Sequence, residues 1–189
     1  MKENHPMMCN VNDSCLLILD IQERLAEAMP IKVIKRLERN TMAFLQAAEL
    51  LSVPVFITEQ YPEGLGSFLP ELVQKFPAGC KRFTKTSFSC AGAEGFLDSL
   101  RECGRKQVII AGMEAHICVL QSAMQLQEQG WQTFVAGDTV CSRMRENYEN
   151  ALDRLRMQGI QVTDLECVLF EWMRDSSVEQ FKFISSLLR

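Results

Sequence analysis

Asp20, Lys85 and Cys118 are the side chains of this 189-residue chain whose types and placement could carry covalent chemistry. Asp20 closes the apolar run CLLIL, Lys85 follows KRFT, and Cys118 lies in AGMEAHICVL, where an apolar run hands over to a helical pattern. A cysteine attacks a carbonyl as its thiolate, and a free thiol with a pKa of about 8.5 is only slightly ionised at neutral pH. A helix N-terminus and a nearby cation both lower that value. The helix behind Cys118 and Lys85 across from it therefore predict an exposed, activated thiolate. The backbone amides of Ile117 and Cys118, expected to lack intrahelical acceptors, would hold a developing oxyanion. Proton transfer would fall to Asp20, because the two histidines suit the task poorly. His5 lies in the N-terminal segment, and the two-residue spacing of His116 from Cys118 does not bring side chains face to face on a helix. Each residue also has a plain alternative: a capping aspartate, a surface lysine, a cysteine used for packing.

The elements that must position these groups alternate along the chain. Cys15 to Leu19, Val53 to Thr58 and Gln107 to Ala111 are short, apolar and β-branched, which predicts strands buried on both faces. Lys81 to Thr84, Trp131 to Ala136 and Ile160 to Thr163 read as three more. Helical patterns cover Ile34 to Leu51, Ala93 to Cys103, Ile117 to Gln129 and Glu146 to Gln158, and Gly104, Gly130 and Gly159 each fall where a helix would end. Strands alternating with helices imply parallel pairing through right-handed crossovers, an α/β fold. In such a sheet ligands bind at the carboxyl ends of the strands. Asp20, Glu59, Lys85, the Gly112 to Cys118 turn and Asp138 are expected on that one rim. Val178 to Leu188 reads as a final amphipathic helix, packing on the domain or on a second subunit.

Composition bounds the rest. With 47% hydrophobic and 23% charged residues, the chain suits one domain at 14–189 behind a flexible N-terminal segment, 1–13. A net charge of −4 and the absence of a basic stripe argue against nucleic acid as a partner. No apolar run approaches the roughly 20 residues that span a bilayer, and the N-terminus lacks the features of a signal or transit peptide. A cytoplasmic protein without membrane contact is the expectation. The eight cysteines show no CxxC spacing and are expected to be free thiols, with Cys15 and Cys167 packed in the core.

LLILDIQ at Leu16 to Gln22, KTSFS at Lys85 to Ser89 and IIAGMEAHICVLQSA at Ile109 to Ala123 together resemble the isochorismatase-like cysteine hydrolases. TEQYPEGLG, from Thr58 to Gly66, is similar to the monofunctional isochorismatase domain-containing branch. The resemblance spans roughly Ser14 to Val168 and implies a three-layer, doubly wound, Rossmann-like fold with a mainly parallel six-stranded sheet. It also implies an Asp-Lys-Cys triad at Asp20, Lys85 and Cys118, a non-proline cis peptide joining Met113 and Glu114, and a homo-oligomer. Nicotinamidases of this superfamily bind a metal through an aspartate and two histidines near the second strand; Glu59, Gln60 and Tyr61 stand there instead. No metal and no cofactor are expected. The turn after the first strand, Asp20-Ile21-Gln22-Glu23, has no glycine, so the dinucleotide fingerprint is missing too.

Gln22, Tyr61, Phe88 and Glu114 are candidates for lining a pocket, since each lies close to a triad member or on a rim loop. Asp138 is expected to act as a structural acceptor for turn amides or Ser142. The resulting expectation is a cofactor-free cysteine hydrolase acting on a small-molecule amide or related acyl compound. Two rivals share the fold: a catalytically dormant oligomeric binding or scaffold protein, and a thiol redox protein in which Cys90 or Cys141 resolves an oxidised Cys118.

Overall fold

The computed structural model describes residues 7–188. Its strands are β1 (Ser14–Leu19), β2 (Val55–Gln60), β3 (Lys81–Lys85), β4 (Gln107–Met113), β5 (Gln132–Cys141) and β6 (Gln161–Thr163). They form one sheet in the order β3-β2-β1-β4-β5-β6, and every pairing between them is parallel. The helices are α1 (Glu23–Glu27), α2 (Ile31–Leu50), α3 (Pro62–Leu65), α4 (Pro70–Val73), α5 (Phe96–Glu102), α6 (Leu120–Glu128), α7 (Arg145–Met157), α8 (Leu165–Met173) and α9 (Phe181–Ser186).

Strand alternation sorts the core into two halves. Leu16 and Ile18 of β1, with Ile109 and Ala111 of β4, face α2 and α8, while Cys15, Leu17, Val108 and Ile110 face α5, α6 and α7. Each fully buried aliphatic side chain contributes roughly 1.5–3 kcal/mol, so the central strands need apolar residues on both faces, and the layers number three. Strand order reverses between β1 and β4, the crevice where doubly wound sheets hold ligands. The two strands approach so closely there that a Cβ on Gly112 would collide with the Leu19 carbonyl oxygen, and Gly112 has φ +124°.

Several boundaries differ from expectation. β5 runs on to Cys141 because a register shift opposite Ile110 to Gly112 lets it keep pairing, so Asp138 lies inside the strand and not at its end. β2 likewise continues past Glu59 to Gln60. α8 has no counterpart among the predicted helices; Asp164 caps it by accepting the Cys167 amide at 2.8 Å. Cys167 is consequently exposed, not core. The expected C-terminal helix shortens to α9, which packs on its own domain through buried Ile184 and a Phe170–Phe181 ring contact at 6.1 Å. Of the expected flexible segment 1–13, residues 1–6 lie outside the described residues. Its end is tethered: the buried Cys9 donates its amide to Glu171 at 2.6 Å, and Asn10 donates its own to the Gln107 side chain at 2.7 Å.

Candidate active site

Asp20 follows the last residue of β1 with φ +54°, a left-handed conformation that turns the chain out of the sheet. Its side chain is fully buried, and Lys85 Nζ donates to Oδ2 at 2.7 Å from an equally buried position at the end of β3. Taking such a pair from water costs several kcal/mol per ion, recovered only where geometry is good and the remaining lone pairs and protons are satisfied. Here they are satisfied. Thr58 Oγ1 donates to Asp20 Oδ1 at 2.6 Å, and Lys85 donates further to Gln60 Oε1 at 2.7 Å and the Phe88 carbonyl at 3.1 Å.

Thr58 and Gln60 were not among the residues singled out in the sequence. Register explains their place: Leu19 pairs with Thr58 and Gln60 with Lys85, so these two β2 positions, on the same face of the strand, fall beside Asp20 and Lys85. Glu59, one residue out of phase, turns away to accept the Phe68 amide at 2.9 Å and pair with Arg82 at 3.2 Å.

Cys118 approaches this pair from the β4–α6 turn, close enough for both Asp20 and Lys85 to act on its thiol. The Met113–Glu114 peptide is cis. Residues Ala115–Val119 then form a π-helical turn in which the Val119 amide bonds the Glu114 carbonyl at 3.2 Å. π-helical turns are frequent at functional sites. The thiol is buried, 5% exposed, against the expectation of an open helix start. Its environment also reverses the expected titration. Burial and the adjacent Asp20 carboxylate push its pKa up to about 12, and Lys85 offsets only part of this. Burial likewise raises Asp20 above the ordinary carboxylate range, opposed by Lys85, Thr58 and Cys118. The resting site thus pairs a protonated thiol with a carboxylate made more basic by its surroundings.

The remaining candidates separate. The Ile117 amide already donates to the Glu114 carbonyl at 3.1 Å, so it does not lack an intrahelical acceptor. Gln22 is fully buried and acts as a clamp: its side chain donates to the Gln60 carbonyl at 3.0 Å and the Gly66 carbonyl at 2.7 Å, and accepts the Gln60 amide at 2.7 Å. Tyr61 borders a recess of about 270 Å³ whose lining also includes Lys85 and Thr86. The Phe88 ring is exposed, and this residue enters the site through its carbonyl. His116 turns to Ser142, Nδ1 to Oγ 2.9 Å, and Asp138 accepts from Asn40 at 3.0 Å and the Leu165 amide at 2.8 Å, not from Ser142. Among the described residues no group of three or more His, Cys, Asp or Glu is arranged to hold a metal ion.

Residues 14–167 match the family model for the isochorismatase domain. Isochorismatase domain-containing protein 2 of Danio rerio is 38% identical over 176 residues, which is 93% of this chain and 86% of that protein. Among solved structures, one described as the MAR1 ribonuclease of Caenorhabditis elegans superposes with a TM-score of 0.89 at 31% identity, covering 96% of this chain and 92% of that one. The Escherichia coli YcaC gene product, described as an octameric hydrolase of unknown specificity, superposes with a TM-score of 0.88 at 24% identity over 98% of this chain and 91% of its own. Among the described residues no helix is long and apolar enough to cross a membrane.

Proposed function

The chain belongs to the isochorismatase domain family, and from that premise we propose that it is a cofactor-free cysteine hydrolase of small amides or related acyl compounds. The observation that carries this reading is the buried Lys85–Asp20 pair with the buried Cys118 thiol within its electrostatic reach. An ion pair so placed adds little to stability compared with packed apolar groups, whereas it holds a base against a nucleophile.

Cys118 enters the reaction as a thiol. Asp20, made more basic by burial, takes its proton as sulfur bonds to the substrate carbonyl carbon. Lys85 stays charged throughout in this scheme, fixing the carboxylate and offsetting the charge that moves onto sulfur. The amide of Cys118, beside the start of α6, faces the developing oxyanion. Asp20 then returns the proton to the departing amine as the C–N bond breaks, leaving a thioester. Water attacks the thioester with Asp20 again accepting a proton, and the thiol is restored.

We take the protein to act in the cytoplasm as a homo-oligomer on a small-molecule substrate, without nucleic acid or membrane partners. The ribonuclease description of the nematode structure is not adopted. With a net charge of −4 and a reacting group that is a thiol, this chain suits a small acyl carbon better than a polyanion.

The test is intact-mass spectrometry during turnover of a panel of small amides. An acyl mass increment on Cys118 that accumulates with wild type and vanishes in Cys118→Ala is the expected result. Turnover that persists in Cys118→Ala would overturn covalent catalysis.

A further inference from the structure

On the β5 side of the cis turn, between the starts of α2 and α7, lies a second cavity of about 370 Å³. That volume falls within the range of small-molecule sites. Val33, Cys141 and Tyr148 supply an apolar wall, and three guanidinium groups, Arg36, Arg143 and Arg145, stand around it.

The three cations are not equivalent. Arg143 is held by Glu114 at 3.3 Å and Arg145 by Glu149 at 2.6 Å. Arg36 has no carboxylate within ion-pair distance among the described residues. One of its terminal nitrogens donates to the Val140 carbonyl at 3.3 Å, while its Nε is buried and has no acceptor. Asp138 feels the Arg36 charge, but its two oxygens are taken by Asn40 and the Leu165 amide. A guanidinium without a carboxylate partner at a cavity wall gains from an anionic acceptor. A planar guanidinium in a half-apolar cavity selects a planar, two-oxygen anion attached to an apolar body.

We propose that this cavity is a second ligand site, taking a small organic carboxylate whose carboxyl group pairs with Arg36 and whose apolar body lies against Val33 and Tyr148. The site is distinct from the triad. It is wired to the same turn from the opposite side, because Glu114 accepts the Arg143 amide at 3.1 Å and Ser142 bonds His116.

Benzoate serves as the probe, with benzamide as its neutral isostere and inorganic phosphate as the anion lacking an apolar body, each titrated by calorimetry into Cys118→Ala as well as wild type, so that turnover of the amide at the triad does not enter the comparison. Saturable benzoate binding is expected, with benzamide weaker by at least roughly tenfold, the loss of one charge-assisted pairing. Arg36→Met should weaken benzoate by a similar factor. Val33→Phe, which fills the cavity and leaves the charge in place, should weaken it as well, so the proposal remains testable if Arg36→Met does not fold. Cys118→Ala should bind benzoate as wild type does, which keeps this site independent of the hydrolase reading. No saturable benzoate binding, equal binding of benzamide, tighter binding of phosphate, or affinity unmoved by folded Arg36→Met and Val33→Phe would each overturn it. Loss of benzoate binding in Cys118→Ala would place the ligand at the triad and overturn it too.

Discussion

Cys118 and Cys103 sit at opposite ends of the sheet, and the protein drives them in opposite directions. Cys118, at the carboxyl rim, is buried beside a carboxylate and pushed up to about 12. Cys103, just after α5, is lowered to about 6 by the neighbouring Cys15 thiol, by the Arg105 backbone and by the Arg105 and Lys81 charges. Judged by acidity alone, Cys103 is the nucleophile. Judged by partners, the groups that act on it are a second thiol, Cys15, and the Arg105 and Lys81 cations, with no carboxylate among them to take a proton. The contrast teaches that a thiolate ready at rest and a thiol equipped for catalysis are different constructions. The second stores its proton where a base can collect it.

The largest expected effect separates them by turnover. Cys118→Ala should lower acyl hydrolysis by a factor on the order of 10⁴–10⁶, the scale of nucleophile removal elsewhere, while Cys103→Ser leaves kcat/KM near wild type. A sizeable loss in Cys103→Ser would break the comparison. Stability divides them next. Lys85→Met strands a buried Asp20 carboxylate and should cost roughly 3–5 kcal/mol in chemical denaturation. Adding Asp20→Asn to Lys85→Met should recover most of that loss, and a double variant no better than the single one would contradict an ion-pair origin.

Alkylation sharpens the same contrast. At pH 7 a thiol of pKa about 6 is mostly ionised and one of about 12 hardly at all, a ratio of ~10⁵; the lower intrinsic reactivity of the more acidic thiolate reduces this to roughly a hundredfold. Site-resolved iodoacetamide labelling should therefore mark Cys103 first and Cys118 last, with the Cys118 rate still climbing above pH 10. A plateau for Cys118 near neutrality would restore the preformed thiolate.

The smallest effect, taken per thiol and per pH unit, is on alkaline stability. Cys90, Cys118 and Cys141 each hold their protons to about 12 in the folded chain but lose them near the ordinary 9.0 once unfolded. Raised folded values give stability that is complete below pH 9 and falls as pH rises toward 12, by roughly 1 kcal/mol per thiol for each pH unit. Cys103 has the opposite sign: its contribution is present above the unfolded value and lost as pH falls through about 6. Urea titrations at pH 9, 10 and 11 measure the first slope, which Cys141→Ala should lessen by one thiol's share.

What could be read in advance followed from properties local to the chain. The strand-helix alternation and the placement of Asp20, Lys85 and Cys118 at strand ends need only periodicity and spacing. Thr58 and Gln60 escaped because their role depends on register: only when Leu19 is set beside Thr58, and Gln60 beside Lys85, do they join the pair. The Cys118 titration was misjudged for a related reason. A helix start and a lysine are visible in sequence, whereas the burial that outweighs them is a property of the packed rim. The extension of β5 past Asp138 depends in turn on a register shift against β4.

The Gln22 clamp carries a consequence for redesign. The chain from Tyr61 to Leu69 is pinned at its far end three times over: Gly66 by Gln22, Phe68 by Glu59, and Leu69 by the Ile21 carbonyl. At its near end the Tyr61 amide bonds the Lys85 carbonyl at 2.8 Å. Between those anchors, Pro62 to Leu65 form a cassette of which Pro62 and Glu63 line the recess beside Lys85. Grafting a different segment of equal length between them would change what the rim admits while the Lys85–Asp20 pair keeps its bonds.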